Sequence, residues 1–198
     1  VANNRCHVEQ YLKLPSSPHW LQQVHGIAVA DLTANTPLTE ADAAVGDAGS
    51  GVAAVMTADC LPVLFCSLDG QRIGAAHAGW RGLAAGVLET TIIAMQRPAN
   101  EIIAWLGPAI GPDAFEVGDE VRAEFLAHSA AAESAFRPSP EKGKWLCDIF
   151  MLARQRLMAA GIGSVSGGGV CTVSDPDHWF SYRRDGVTGR MVSLIWAV

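Results

Sequence analysis

The sequence is short of three things, and each shortage closes off a class of function. Basic residues are not in surplus: 14 Lys and Arg stand against 20 Asp and Glu, for a formal net charge of −6. No face able to neutralise many phosphates is expected, and nucleic acid is not expected as a partner. Long apolar runs are missing too. A spanning helix needs roughly 20 apolar residues, and the most apolar stretches are interrupted by Asp59, Arg72 or Gly107, so no membrane partner is expected. Closely paired cysteines are also absent. The five cysteines, Cys6, Cys60, Cys66, Cys147 and Cys171, are odd in number, widely spaced and embedded in apolar sequence. They read as free thiols in a reducing compartment, and the cytoplasm is the expected location. The opening VANNRCHVEQYLKLP has neither the basic start nor the apolar stretch of a secretory signal, and Val1 reads as a trimmed start. Neither a repeat of fixed period nor a low-complexity tract is found.

What is present is a chain of 198 residues with 49% hydrophobic content, suited to a single domain with a well-filled core. Runs of strand length occur at Gly26–Leu32, Val52–Thr57, Leu61–Ser67 and Arg72–Ala76, then at Ile102–Leu106, Gly169–Val173 and Val192–Val198. Helices are expected at Gly82–Met95, Val117–His128 and Asp148–Ala160, the last with an Asp start and a Gly161 stop. Several strands follow one another with no helix between, which indicates an α+β architecture of mixed or antiparallel sheets with helices outside. Ala130–Lys144, with two prolines, a glycine and several charges, reads as a surface loop.

Three polar residues stand at the ends of apolar runs: His25 in QQVHG, Cys60 in MTADCLPV and His77 in AAHAGWRG. Imidazole nitrogen and thiolate sulfur suit zinc, and three protein ligands leave a fourth tetrahedral position open. The gaps of 35 and 17 residues are unlike finger spacings, so a shared site must be assembled by the fold. The plain alternative is a pair of hydrogen-bonded structural histidines and a core cysteine. A rival chemical reading makes Cys60 a nucleophile with His77 or His25 as its base.

The runs QVHG, TADCLPVLF, HAGWRG, LGPAIGPDAFEVGDEV and FSYRRDGVTGR, in that order, resemble the signature motifs of the YfiH family, also called the laccase-domain or polyphenol oxidase family. The likeness runs from about Asn4 and Arg5 to the C-terminus. It implies an α+β fold with a β-sandwich core and flanking helices, and purine nucleoside phosphorolysis with inosine, adenosine and methylthioadenosine as substrates. Adenosine deamination and a bound metal, usually zinc, are implied as well, with the metal ligands falling on His25, Cys60 and His77. Two departures stand out. Family members usually carry several dozen residues before the Asn-Arg element, and an Asn in the helix after WLCDIF, where this chain reads LARQR.

On those residues, a zinc ion with an open position would supply hydroxide near neutral pH for deamination. Phosphorolysis needs an anion anchor, and Arg81, four residues after His77 at a helix start, is the expected one. Arg183 and Arg184 are weaker candidates for substrate binding, because Asp185–Gly186 beside them is a hairpin signal. Asp59 could orient a histidine or accept a proton, although strand alternation would point it away from the face of Cys60. Trp80 and Phe180 are candidates for stacking on a purine, and Gly167–Gly168–Gly169 reads as a flexible turn. Two other activities remain open: a copper-dependent phenol oxidase, as the family's older name suggests, and a cysteine hydrolase editing cell-wall precursors.

Overall fold

Strand pairing explains the architecture of the computed structural model, which describes residues 2–34 and 39–197. The first helix, α1, is Ala2–Leu12, followed by the short strands β1 (Pro18–Trp20) and β2 (Val29–Asp31). Four strands then come in close succession: β3 (Ala43–Asp47), β4 (Val52–Thr57), β5 (Leu61–Ser67) and β6 (Arg72–Ala78). Two helices, α2 (Trp80–Ala85) and α3 (Val87–Ala94), precede β7 (Ile102–Leu106). Next come β8 (Glu116–Gly118), α4 (Asp119–His128), β9 (Phe136–Pro138), β10 (Lys144–Cys147) and α5 (Ile149–Ala159). The chain closes with β11 (Ser164–Gly167), α6 (Tyr182–Asp185) and β12 (Met191–Ile195).

The central sheet has six strands in the order β11-β7-β5-β6-β3-β2, antiparallel except at the two edge pairs, β11 with β7 and β2 with β3. One face lies under α3 and α5, where Leu61, Val63 and Phe65 pack with Leu88, Met95, Leu152 and Leu157. The other face meets the three-stranded sheet β1-β4-β12 through a second core of Ala30, Ala44, Ala53, Val55, Ile73 and Ala75. Alanines dominate that interface, and their small side chains let the two sheets approach closely. Every residue of β6 is buried, as a strand covered on both faces requires. The expected β-sandwich with flanking helices is the observed α+β arrangement. No helix among the described residues is long and apolar enough to cross a membrane.

Several expectations need correction. The helix predicted over Gly82–Met95 starts earlier and is two helices, because Gly86 adopts φ 106°, the left-handed conformation that ends α2. Ala130–Lys144 is not a plain loop: it holds a 3₁₀ turn at Ala130–Ala135, β9 and the start of β10. The run at Gly169–Val173 forms no strand, only a bridge between Cys171 and Ala109. Val117–His128 begins in β8 and becomes helical at Asp119. The strand at Gly26–Leu32 shortens to β2, that at Arg72–Ala76 extends to Ala78, and that at Val192–Val198 is β12, with Val198 outside the described residues. Asp185–Gly186 closes no hairpin, since Tyr182–Asp185 is a helical turn.

Candidate metal centre

Cys60 stands immediately before β5 and His77 lies near the end of the adjacent β6, where Pro62 pairs with His77 and Leu61 with Ala78. The antiparallel register therefore brings the two side chains to one end of the central sheet. His25 arrives from the loop before β2, where it takes φ 63°. That left-handed turn is held by Asp42, whose Oδ1 accepts from the His25 backbone N–H at 2.9 Å and whose Oδ2 accepts from Val24 and Gly26 at 3.1 and 2.7 Å. Gln23 secures the same loop to β4, its side-chain amide exchanging two 2.8 Å bonds with the Met56 backbone.

The Nδ1 of His77 donates to Asp42 Oδ1 at 2.8 Å, which turns Nε2 towards the other two side chains. One donor atom each from His25, Cys60 and His77 lies within 4.8 Å of the others, and Cys60 Sγ is 3.8 Å from His25 Nε2. A nitrogen and a sulfur held by one tetrahedral zinc stand about 3.6 Å apart, given bonds of about 2.1 and 2.3 Å. The donor set and its spacing thus fit such an ion. The two histidine rings meet edge to face with centroids 4.8 Å apart.

Without a metal, the electrostatics pair a Cys60 thiolate with a His77 imidazolium, so an ion binding there would displace the His77 proton. Burial would raise the Cys60 thiol, but hydrogen bonds and charge from His25 and His77 outweigh it and bring the pKa down from 9.0 to about 6. Burial would lower His77, yet its bonds to Asp42 and Cys60 lift it from 6.5 to about 9. Burial works against ionised Asp42 as well, and the bonds from His77, Gly26 and Val24 nevertheless hold it below the usual carboxylate range.

Two glycines of the HAGWRG run owe their place to close approach. A Cβ on Gly79 would come within 2.7 Å of His25 Cδ2 and 3.1 Å of Cys60 Sγ. One on Gly82 would stand 2.9 Å from the Gly26 carbonyl oxygen. Helix α2 is therefore pressed against the His25 loop, and Gly79 leaves room for the donor atoms.

The three side chains line an open cavity of about 510 Å³ that also takes in Gln22, Gln23, Met56, Thr57, Tyr182 and Arg190. Asp59, a candidate for orienting a histidine or accepting a proton, does not line this cavity. Its φ of 86° removes it from strand geometry, and its carboxylate accepts 2.6 Å bonds from Thr172 Oγ1 and the Arg183 backbone N–H. Arg183 does not line this cavity: its Nη1 donates to the Ala114 and Glu116 carbonyls and its guanidinium lies over the Phe115 ring. Arg184 is similarly committed to the carbonyls of Thr172, Val173 and Trp179. Arg81 lies over the Trp80 ring, 4.4 Å from its centroid, in a separate depression shared with Glu120 and Glu124. Neither Trp80 nor Phe180 lines the cavity of the three donors; Phe180 covers Gly189, and the aromatic ring at the cavity is Tyr182. Sequence reasoning missed Asp42, Tyr182 and Arg190. For Asp42 a signal existed, a carboxylate within the small apolar run ADAAV, which once buried must find donors.

The family described as multi-copper polyphenol oxidoreductase laccase matches residues 1–198. A purine nucleoside phosphorylase of Pseudomonas aeruginosa is 52% identical over 196 residues, covering 99% of this chain and 80% of that protein. The purine nucleoside phosphorylase YfiH of Escherichia coli is 50% identical over 204 residues, covering 99% and 83%. Among solved structures, a Neisseria meningitidis protein superposes with a TM-score of 0.92 at 51% identity, covering 98% of this chain and 79% of that one. Bacillus licheniformis YfiH superposes at 0.90 and 30% identity, covering 99% and 80%.

Proposed function

This chain belongs to the laccase-domain family that includes the YfiH proteins, and from that premise we propose that it is a zinc-dependent purine nucleoside phosphorylase. Purine nucleoside phosphorylase is the name its half-identical relatives carry, and the zinc dependence is inferred from the donor set. The substrates proposed are inosine, adenosine and methylthioadenosine, with adenosine deamination as a second reaction at the same centre. Such an enzyme takes a nucleoside and inorganic phosphate, and the five free thiols suit a cytoplasmic setting. The observation that carries the proposal is the convergence of His25, Cys60 and His77 at the wall of an open cavity.

Bound by those three residues, zinc would supply Lewis acidity at one open coordination position. The protein's own contribution is placement. Asp42 fixes the tautomer of His77 and the turn of His25, and Gln23 holds the loop that carries His25. In phosphorolysis a phosphate oxygen forms a bond to ribose C1′ as the bond from C1′ to the base breaks, and the electron pair leaves with the base, which takes up a proton. The cavity has to hold phosphate and nucleoside in line for that exchange.

Purified protein is expected to carry about one zinc per chain and to release hypoxanthine from inosine at a rate that rises with phosphate. Cys60→Ala should lose most of the zinc and the activity with it. Full zinc occupancy in that variant, or base release indifferent to phosphate, would overturn the proposal. One observation favours a second reading: the lowered thiol pKa of Cys60 suits a cysteine nucleophile as well as a ligand. In that case metal-free protein stays active and alkylation of Cys60 abolishes turnover. The multi-copper description of the family has less support, since the described residues contain one cluster of potential metal ligands.

A further inference from the structure

Arg190 reaches the cavity of the three donors from the turn before β12. Its Nη1 donates to the carbonyls of Thr188 and Gly189 at 3.1 and 2.9 Å, which fixes the plane of the guanidinium. Among the described residues, Nε and Nη2 have no protein acceptor, so one two-pronged edge of the fork is free. That edge has the donor geometry that a phosphate oxyanion accepts in bidentate fashion. No Asp or Glu lines this cavity among the described residues. Asp42 sits behind His77 with no exposure, its oxygens already engaged. Among the described residues, Arg190 is therefore the one permanently charged side chain facing the cavity. Arg81 has the opposite surroundings, since its depression contains Glu120 and Glu124, which repel an anion.

We propose that Arg190, not Arg81, anchors the phosphate consumed in the reaction, in the same cavity as His25, Cys60 and His77. The inference rests on the phosphorylase reading above. Replacing the arginine leaves a cationic ammonium in Arg190→Lys but nothing in Arg190→Ala, so the two variants separate charge from fork geometry.

The test is calorimetric titration of the zinc-loaded protein with inorganic phosphate, and in parallel with a purine nucleoside 5′-monophosphate, at low ionic strength. Arg190→Ala should weaken phosphate binding tenfold or more and raise the KM for phosphate at least as much, with the KM for nucleoside little changed. Arg190→Lys should fall between, Arg81→Ala should bind phosphate as the parent does, and zinc content should be the same in all. Undiminished phosphate affinity in Arg190→Ala, no measurable binding by the parent, or a loss confined to Arg81→Ala would overturn the assignment. Dependence on Arg190 for the monophosphate but not for free phosphate would overturn it too, placing a nucleotide's phosphate there instead. Should the parent bind phosphate through Arg190 yet fail to cleave nucleosides, the phosphorylase reading falls while the anion site stands.

Discussion

At the scale of single residues, the charge state of Cys60 and His77 makes the metal-free protein respond to pH on two sides. Cys60 titrates near 6 when folded against 9.0 for a free thiol, so its contribution to stability is present above pH 9 and is lost as pH falls through about 6. His77 titrates near 9 against 6.5, so its contribution is complete below pH 6.5 and is lost as pH rises through about 9. The thiolate and imidazolium therefore coexist between about pH 6 and pH 9. Iodoacetamide should label Cys60 of zinc-free protein with a midpoint near pH 6, read by peptide mapping to separate it from the other thiols. Zinc should slow the labelling. A midpoint near pH 9 would show that the histidines do not stabilise the thiolate. Cys147, by contrast, is buried without such partners, and its thiol is pushed well up.

At the scale of elements, the approach of α2 to the His25 loop depends on absent side chains. Gly79 has φ −62° and ψ 154°, a conformation open to any residue, so Gly79→Ala tests space alone. The added methyl would push on His25 Cδ2 and Cys60 Sγ. Zinc affinity should fall by about tenfold or more, while the melting temperature of the metal-free protein shifts little. Unchanged affinity would mean that the loop yields without cost. The glycines were legible in the motif HAGWRG, but their purpose was not, because close approach is a property of two segments together. Strands β4, β5 and β7 could be read off the sequence to the residue, being unbroken apolar runs. Strand β3 could not: AAVGD is made of small residues with a glycine, and its pairing with β6 and β2 gives it form. Strands β9 and β10 were hidden by Pro138 at the end of β9 and by Pro140 and Gly143 in the turn between them.

At the scale of the whole molecule, Asp59 is the clasp between the two ends of the fold. Its carboxylate reaches Thr172 and Arg183, and its carbonyl accepts from Ile110 at 2.9 Å. Asp59→Ala would leave a buried hydroxyl and a backbone N–H without acceptors, at a cost of about 3 kcal/mol. For a chain of this size that corresponds to a melting temperature lower by roughly 6–12 °C; a melting temperature unchanged in Asp59→Ala would remove the clasp from the account. The metal-binding candidates were readable from the sequence because ligand chemistry is restricted to few residue types. The cavity wall was not readable, since Tyr182 and Arg190 lie more than a hundred residues beyond His77 and reach it only through the folding of the C-terminal segment. This separation along the chain has a consequence for biosynthesis. On the ribosome, the stretch from His25 to His77, with β3, β5 and β6 pairing among themselves, emerges long before α6 and β12. The three proposed metal ligands are thus all synthesised before Tyr182 and Arg190, so the cavity wall is completed last.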